Sequence, residues 1–187
     1  MAGPLPARSV AWRATARCAV RTGVLLARRE IALPRHNVGR ELTFADGATG
    51  RVYRETVVPG TRPSAPCLLV VTFRLRLVRG RWHTAFEYES ILNTPFFVGF
   101  PGFVSKLWVA HDDHGRYRGI YEWDGVERAE LYARSLWRVL ELVSEPGSID
   151  YRVSPRLRPG HVLADPGLLD RHAPEGKGTW WQLVGVT

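Results

Sequence analysis

Between residues 67 and 154 the apolar residues repeat first at every second position, then at helical spacing, and then alternate again in a fixed order, which constrains the fold more than any other feature of the chain. In 67–77 the odd positions Leu69, Val71, Phe73, Leu75 and Leu77 are apolar, while Thr72, Arg74 and Arg76 point the other way. That alternation predicts a strand. Gly80 breaks it. Residues 81–93 predict a helix carrying Trp82, Phe86, Glu89 and Leu92 along one side, ended by Thr94-Pro95. Residues 103–110 and 117–123 predict two strands joined through the turn Asp112-Asp113-His114-Gly115. Asp124 stands where a helix cap belongs. The stripe Ala129, Tyr132, Ala133, Leu136 and Leu140 then carries a helix to about residue 144, and 149–153 predicts a last strand.

The order β-α-β-β-α-β is the ferredoxin-like split arrangement, an α+β fold with two helices on one face of a four-stranded sheet. Alternation puts Val70, Thr72, Arg74, Val104, Lys106, Trp108, Ile120 and Glu122 on the other face. That face is too apolar in part to stand in water and still carries charges. Pairing with a second copy would bury the apolar part and give Lys106 and Glu122 partners, so a homodimer through Val70, Val104 and Trp108 is expected.

Residues 1–66 read as an extension packed on this core. Within it 7–33 predicts a helix with Arg13, Arg17 and Arg21 on one face and Val20, Val24 and Ile31 on another. Residues 38–58 predict a β-hairpin turning at Asp46-Gly47 and Gly50, and the Pro-rich 59–66 a strap. Residues 155–187 read as a loop-rich tail containing Trp180-Trp181.

The net charge is +8, carried almost wholly by Arg, but those Arg are scattered and no nucleic-acid motif accompanies them. No apolar run is long enough to cross a membrane, and the basic start has only the short apolar run 24–27, too brief for a signal-peptide core. Cys18 and Cys67 have neither metal-ligand spacing nor the pattern of a disulfide framework, so a reducing cytoplasm is expected. No integral membrane segment and no nucleic-acid partner are expected.

Pro101-Gly102-Phe103, Lys106-x-Trp108, Gly119-Ile120-Tyr121 and Ala129-x-x-Tyr132 together resemble the pattern of YdhR-like monooxygenase-type proteins in the dimeric α+β-barrel superfamily. Arg118 stands where that pattern has the first glycine of a pair. The resemblance covers 67–154 and implies a homodimer. It also implies a superfamily that includes cofactor-free oxygenases, haem-degrading enzymes, lactone isomerases and polyketide cyclases. The expected function is that of a small cofactor-independent enzyme acting on an aromatic or polyketide-like metabolite, by oxygenation or by isomerisation/cyclisation. The alternative is a non-catalytic ligand-binding or structural homodimer.

Candidate site residues follow from the aromatics, which often line pockets for flat ligands. A pocket between the first helix and the sheet would be walled by Phe73, Phe86, Phe103, Tyr121 and Trp123. Tyr121 would supply a hydroxyl, Asn93 an amide and His83 a base, with Glu87 four residues beyond it on the same helix side. His83 is also the one helix-borne histidine of the core that a haem could use. Lys106 and Trp108 are further substrate-binding candidates, but alternation sets them on the face opposite Tyr121 unless a bulge intervenes. His111, Asp112, Asp113 and His114 suggest metal ligands, yet four adjacent residues at a hairpin tip do not converge on one ion, and a turn is expected. There is no Gly-rich phosphate loop, paired-Cys zinc pattern or serine nucleophile elbow, so neither metal nor cofactor is expected.

Overall fold

The computed structural model describes residues 7–76, 97–172 and 179–187. Among these, strands β1 (Glu41–Phe44), β2 (Thr49–Val57), β3 (Pro66–Arg74), β4 (Phe103–Val109), β5 (Arg116–Asp124), β6 (Asp150–Pro155) and β7 (Leu183–Val186) form one sheet. Their order is β6-β3-β5-β4-β2-β1-β7, and every pairing is antiparallel. The helices are α1 (Arg8–Ala27), α2 (Val126–Leu140), α3 (Pro159–Ala164) and α4 (Gly167–His172). The protein is thus α+β, and the central order β6-β3-β5-β4 is the strand order of the split arrangement. The expected helix 81–93, with His83, Phe86 and Asn93, lies outside the described residues.

The hairpin forms where the sequence places it, Gly47 taking the φ of +82° that its turn requires. It does more than pack on the core: β2 pairs with β4 and so extends the central sheet. Asp124 does not cap α2. The cap position is Gly125, at φ +101°, and the Asp124 carboxylate instead accepts the Ala65 N–H at 2.9 Å and the Ser64 hydroxyl at 3.1 Å. It anchors the Pro-rich strap with one oxygen, and with the other accepts from Arg128 of α2 at 3.0 Å. Those bonds, the Ala65 N–H first, hold its carboxyl below the usual range.

Helix α1 buries Ala11, Thr15, Cys18 and Thr22 and leaves Val20 and Val24 exposed, the reverse of the expected face. Spacing explains the buried set, since i, i+4, i+7 and i+11 lie on one side of a helix. Small side chains there allow close approach. A Cβ on Gly99 would collide with the Cys18 carbonyl. Among the described residues no helix is long and apolar enough to cross a membrane.

The two sheet faces have separate cores. Cys67, Leu69, Val71, Phe103, Trp108, Tyr121 and Trp123 pack beneath α1 and α2. On the other face Leu68, Val70, Leu107 and Ile120 pack against Leu157, Val162, Leu163, Leu169, Trp181 and Leu183. The tail is therefore not a loop-rich appendage. It supplies α3, α4 and β7 and covers the face expected to meet a second copy, leaving Val70 only 2% exposed. The motive for a sheet-to-sheet homodimer disappears with that cover. Glu122 finds its partner within the chain, Arg158 Nε at 2.6 Å.

Arg118 ties these extensions down. Its guanidinium meets Asp46 of the β1–β2 turn and Asp112 of the β4–β5 turn, both at 2.8 Å. Its Nε donates to the Trp180 carbonyl at 3.2 Å, and it lies 4.4 Å from the Phe44 ring centre. The residue that departs from the glycine pattern thus clamps two turns and the tail. A buried cation is tolerable here because two carboxylates and a carbonyl surround it.

Candidate active site

A β-bulge builds the site. Phe103 pairs with Trp123, but Ser105 pairs with Glu122 and Lys106 with Tyr121, so the register slips between Phe103 and Ser105. One extra residue reverses the alternation beyond it. Lys106 and Trp108 consequently leave the expected face and join Tyr121, Trp123 and Phe103 on the helix-covered one. On its other side β4 pairs with β2, which sets Lys106 opposite Thr56 and Trp108 opposite Arg54.

Lys106 Nζ lies 3.1 Å from the ring centre of Trp108, 4.5 Å from that of Phe97 and 4.8 Å from that of Tyr121. Among the described residues no carboxylate pairs with it. The Arg54 guanidinium lies 5.3 Å from the same Trp108 ring. Burial first, and the Arg54 charge second, hold the Lys106 amine well below the usual lysine range. The expectation that Lys106 meets an acid across a dimer is replaced by an amine held among π faces.

Around it the rings are fixed by polar contacts and by one absent side chain. Trp108 Nε1 donates to the Thr56 hydroxyl at 3.1 Å. The Tyr132 hydroxyl donates to that of Tyr121 at 3.3 Å, and burial raises both phenols above their usual range. Tyr121 lies across Gly119, where a Cβ would stand 2.7 Å from its Cε2. Trp123 is fully buried, stacked 4.7 Å from Tyr132 and edge-on to Phe103 at 5.6 Å. Its indole Nε1 is buried and has no hydrogen-bond partner among the described residues. A buried donor left unsatisfied costs about 1–3 kcal/mol, so it calls for an acceptor.

Of the expected site residues, Phe103, Lys106, Trp108, Tyr121 and Trp123 come together. Phe73 shares their face but stands apart, stacked on Tyr117 at 5.7 Å. His83, Phe86 and Asn93 lie outside the described residues. Sequence reasoning missed Phe97, Arg54 and Thr56. Phe97 follows Pro95 in no periodic segment, and the β2 residues reach the site only through a pairing that the core pattern does not contain. The hairpin tip is a turn: Asp112 Oδ1 accepts the N–H groups of His114 and Arg116, both at 3.0 Å. A cavity of about 300 Å³ lies elsewhere, along edge strand β6 between Arg152 and Arg156.

No family profile matches the sequence, and no curated protein matches it. Among solved structures the chain is similar to an uncharacterized ferredoxin fold protein related to antibiotic biosynthesis monooxygenases from Listeria monocytogenes 4b F2365. Identity is 15% and the TM-score 0.39, over 57% of this chain and 63% of that one. The chain therefore spans less than two thirds of that protein, and a likeness of this size carries no functional weight.

Proposed function

We propose that the chain is a small cofactor-independent enzyme that binds a flat aromatic or polyketide-like metabolite against Phe97, Phe103, Trp108 and Tyr121. One observation carries this reading: the buried Trp123 indole N–H finds no acceptor among the described residues, on the same ring-lined face where the Lys106 amine lies over Trp108, Phe97 and Tyr121. Rings supply area for a flat ligand, and a few buried polar groups orient it. A ligand oxygen would satisfy the indole donor.

Of the two reaction classes, isomerisation or cyclisation at a carbonyl suits the site better than oxygenation. An amine without an anionic partner can take a proton from carbon or attack a carbonyl. The non-catalytic reading has one observation in its favour, the direct contact of the rings with one another, as in Phe97 against Trp108 at 5.2 Å.

A panel of polycyclic phenols and aryl ketones, titrated by calorimetry and followed for turnover with dissolved oxygen monitored, tests the proposal. Saturable binding that Trp108→Ala abolishes, with product formed and no oxygen consumed, is the expected result. Saturable binding without turnover of any compound would favour the binding module, and no binding would reject the site.

A further inference from the structure

Lysine is scarce in this chain. Of 26 basic residues, 24 are Arg and only Lys106 and Lys177 are Lys. The cation placed in the ring-lined core is one of the two that can lose its proton. Guanidinium stays charged at any pH a protein meets, whereas an amine can be neutral and nucleophilic. If the position served only as a cation over aromatic faces, Arg would stack there at least as well.

The surroundings favour the neutral amine. Nζ faces the Trp108, Phe97 and Tyr121 rings at 3.1, 4.5 and 4.8 Å and meets no carboxylate among the described residues. Among the described residues the charged or titratable groups around it are Arg54 and Tyr53 from β2, the latter 6.2 Å from the Trp108 ring, Tyr121 from β5 and, through the Tyr121 hydroxyl, Tyr132 from α2. None of these is an anion at neutral pH, where a phenol keeps its proton and burial raises those of Tyr121 and Tyr132 further. Lysines desolvated in apolar surroundings or beside another cation are activated as nucleophiles toward carbonyl carbon.

We propose that Lys106 captures the carbonyl carbon of an aromatic aldehyde or ketone as an imine, which deepens and rests on the ligand site proposed above. The Nζ lone pair forms the C–N bond, and the carbonyl π pair moves to oxygen, which takes a proton. The resulting carbinolamine expels that oxygen as water, the amine having given up both its protons, and no oxidant, reductant or cofactor enters. The Tyr132 hydroxyl donates to Tyr121, which leaves the Tyr121 proton free to go to the departing oxygen. The aromatic part of the substrate lies against the rings that now face Nζ.

The test uses the full chain carrying Lys177→Arg, in which Lys106 is the sole lysine, with 2-hydroxy-1-naphthaldehyde as probe and 2-naphthol as its counterpart without a carbonyl. Imine formation is read by its absorption band, and borohydride reduction followed by peptide mapping locates it. The expected result is a single reduced adduct on Lys106, with an initial rate falling about tenfold per pH unit below the folded-state pKa of the amine. Lys106→Met, checked for folding by circular dichroism, should lose both the band and the reduced adduct. Saturable 2-naphthol binding with Lys106 unmodified would overturn the imine and leave the ligand site standing. Adducts on the chain N-terminus alone would overturn the imine likewise, and failure of both compounds to bind would remove both proposals.

Discussion

Replacing Lys106 by Met should change how stability depends on pH. The unfolded chain binds a proton at this amine below about 10.5, its ordinary value, while burial and Arg54 delay that event in the folded chain until well below it. Between the folded-state pKa and 10.5 the unfolded state therefore holds one proton more, and stability rises with pH. One proton corresponds to a slope of up to about 1.4 kcal/mol per pH unit. Below the folded-state pKa both states are charged and the slope vanishes. Other buried groups act in the opposite sense: the Cys18 and Cys67 thiols, pushed up to about 11 by burial, and the raised phenols of Tyr121 and Tyr132 make stability fall as pH climbs through the alkaline range. They are present in both proteins and cancel in the difference. Urea unfolding of wild type and Lys106→Met from about pH 7 to about pH 10 gives that difference directly. The expected curve has the variant most favoured at the acid end, with its advantage shrinking as pH rises. A flat difference would mean that the amine titrates alike in both states, and the argument from burial would be refuted.

Arg118→Met should cost about 3–5 kcal/mol in chemical denaturation, since it strands the buried Asp112 and the partly buried Asp46 without their cation. A variant as stable as wild type would show that the clamp is idle. Burial alone would raise the Asp112 carboxyl, but the Arg116 and His114 N–H groups and Arg118 together hold it below 3.8. Its contribution is therefore present above that value and lost as pH falls through the folded-state pKa. Gly119→Ala should destabilise by about 1–3 kcal/mol, by driving a Cβ to within 2.7 Å of the Tyr121 ring. Combining it with Tyr121→Ala should relieve the clash, and strict additivity in that double-mutant cycle would disprove the contact. Removing residues 156–187 uncovers Leu68, Val70 and Ile120. Light scattering should then show association beyond that of the full chain, and the same number of copies for both would mean that the tail does not guard this face.

Much of the sheet is legible from period alone. Residues 67–77 and 117–123 read as strands from their apolar positions, and the stripe through Ala129 and Tyr132 is strong enough to locate α2. The bulge is not legible. It adds one residue to a register without altering composition, yet it moves Lys106 and Trp108 to the other face and so decides the site. The tail eludes pattern reading because α3 and α4 have six residues each and β7 has four, too few to show a period. Helix α1 misleads for another reason: close packing against Gly99 favours the small residues Thr15, Cys18 and Thr22 over the larger Val20 and Val24. Asp124 has the right residue type for a cap, but Gly125 takes the cap position and the strap takes one carboxylate oxygen.

The central claim is that a flat aromatic ligand occupies the ring-lined face, and the indole N–H resonance of Trp108 reports on it most directly. That proton is bonded to Thr56 within the site, and a Trp108→Phe variant identifies its signal among the seven tryptophans. Titration with 2-naphthol should shift the Trp108 signal saturably, with Trp123 following and the exposed Trp12 unmoved. Calorimetric saturation by the same compound with the Trp108 and Trp123 resonances unchanged would place the ligand elsewhere and contradict the account.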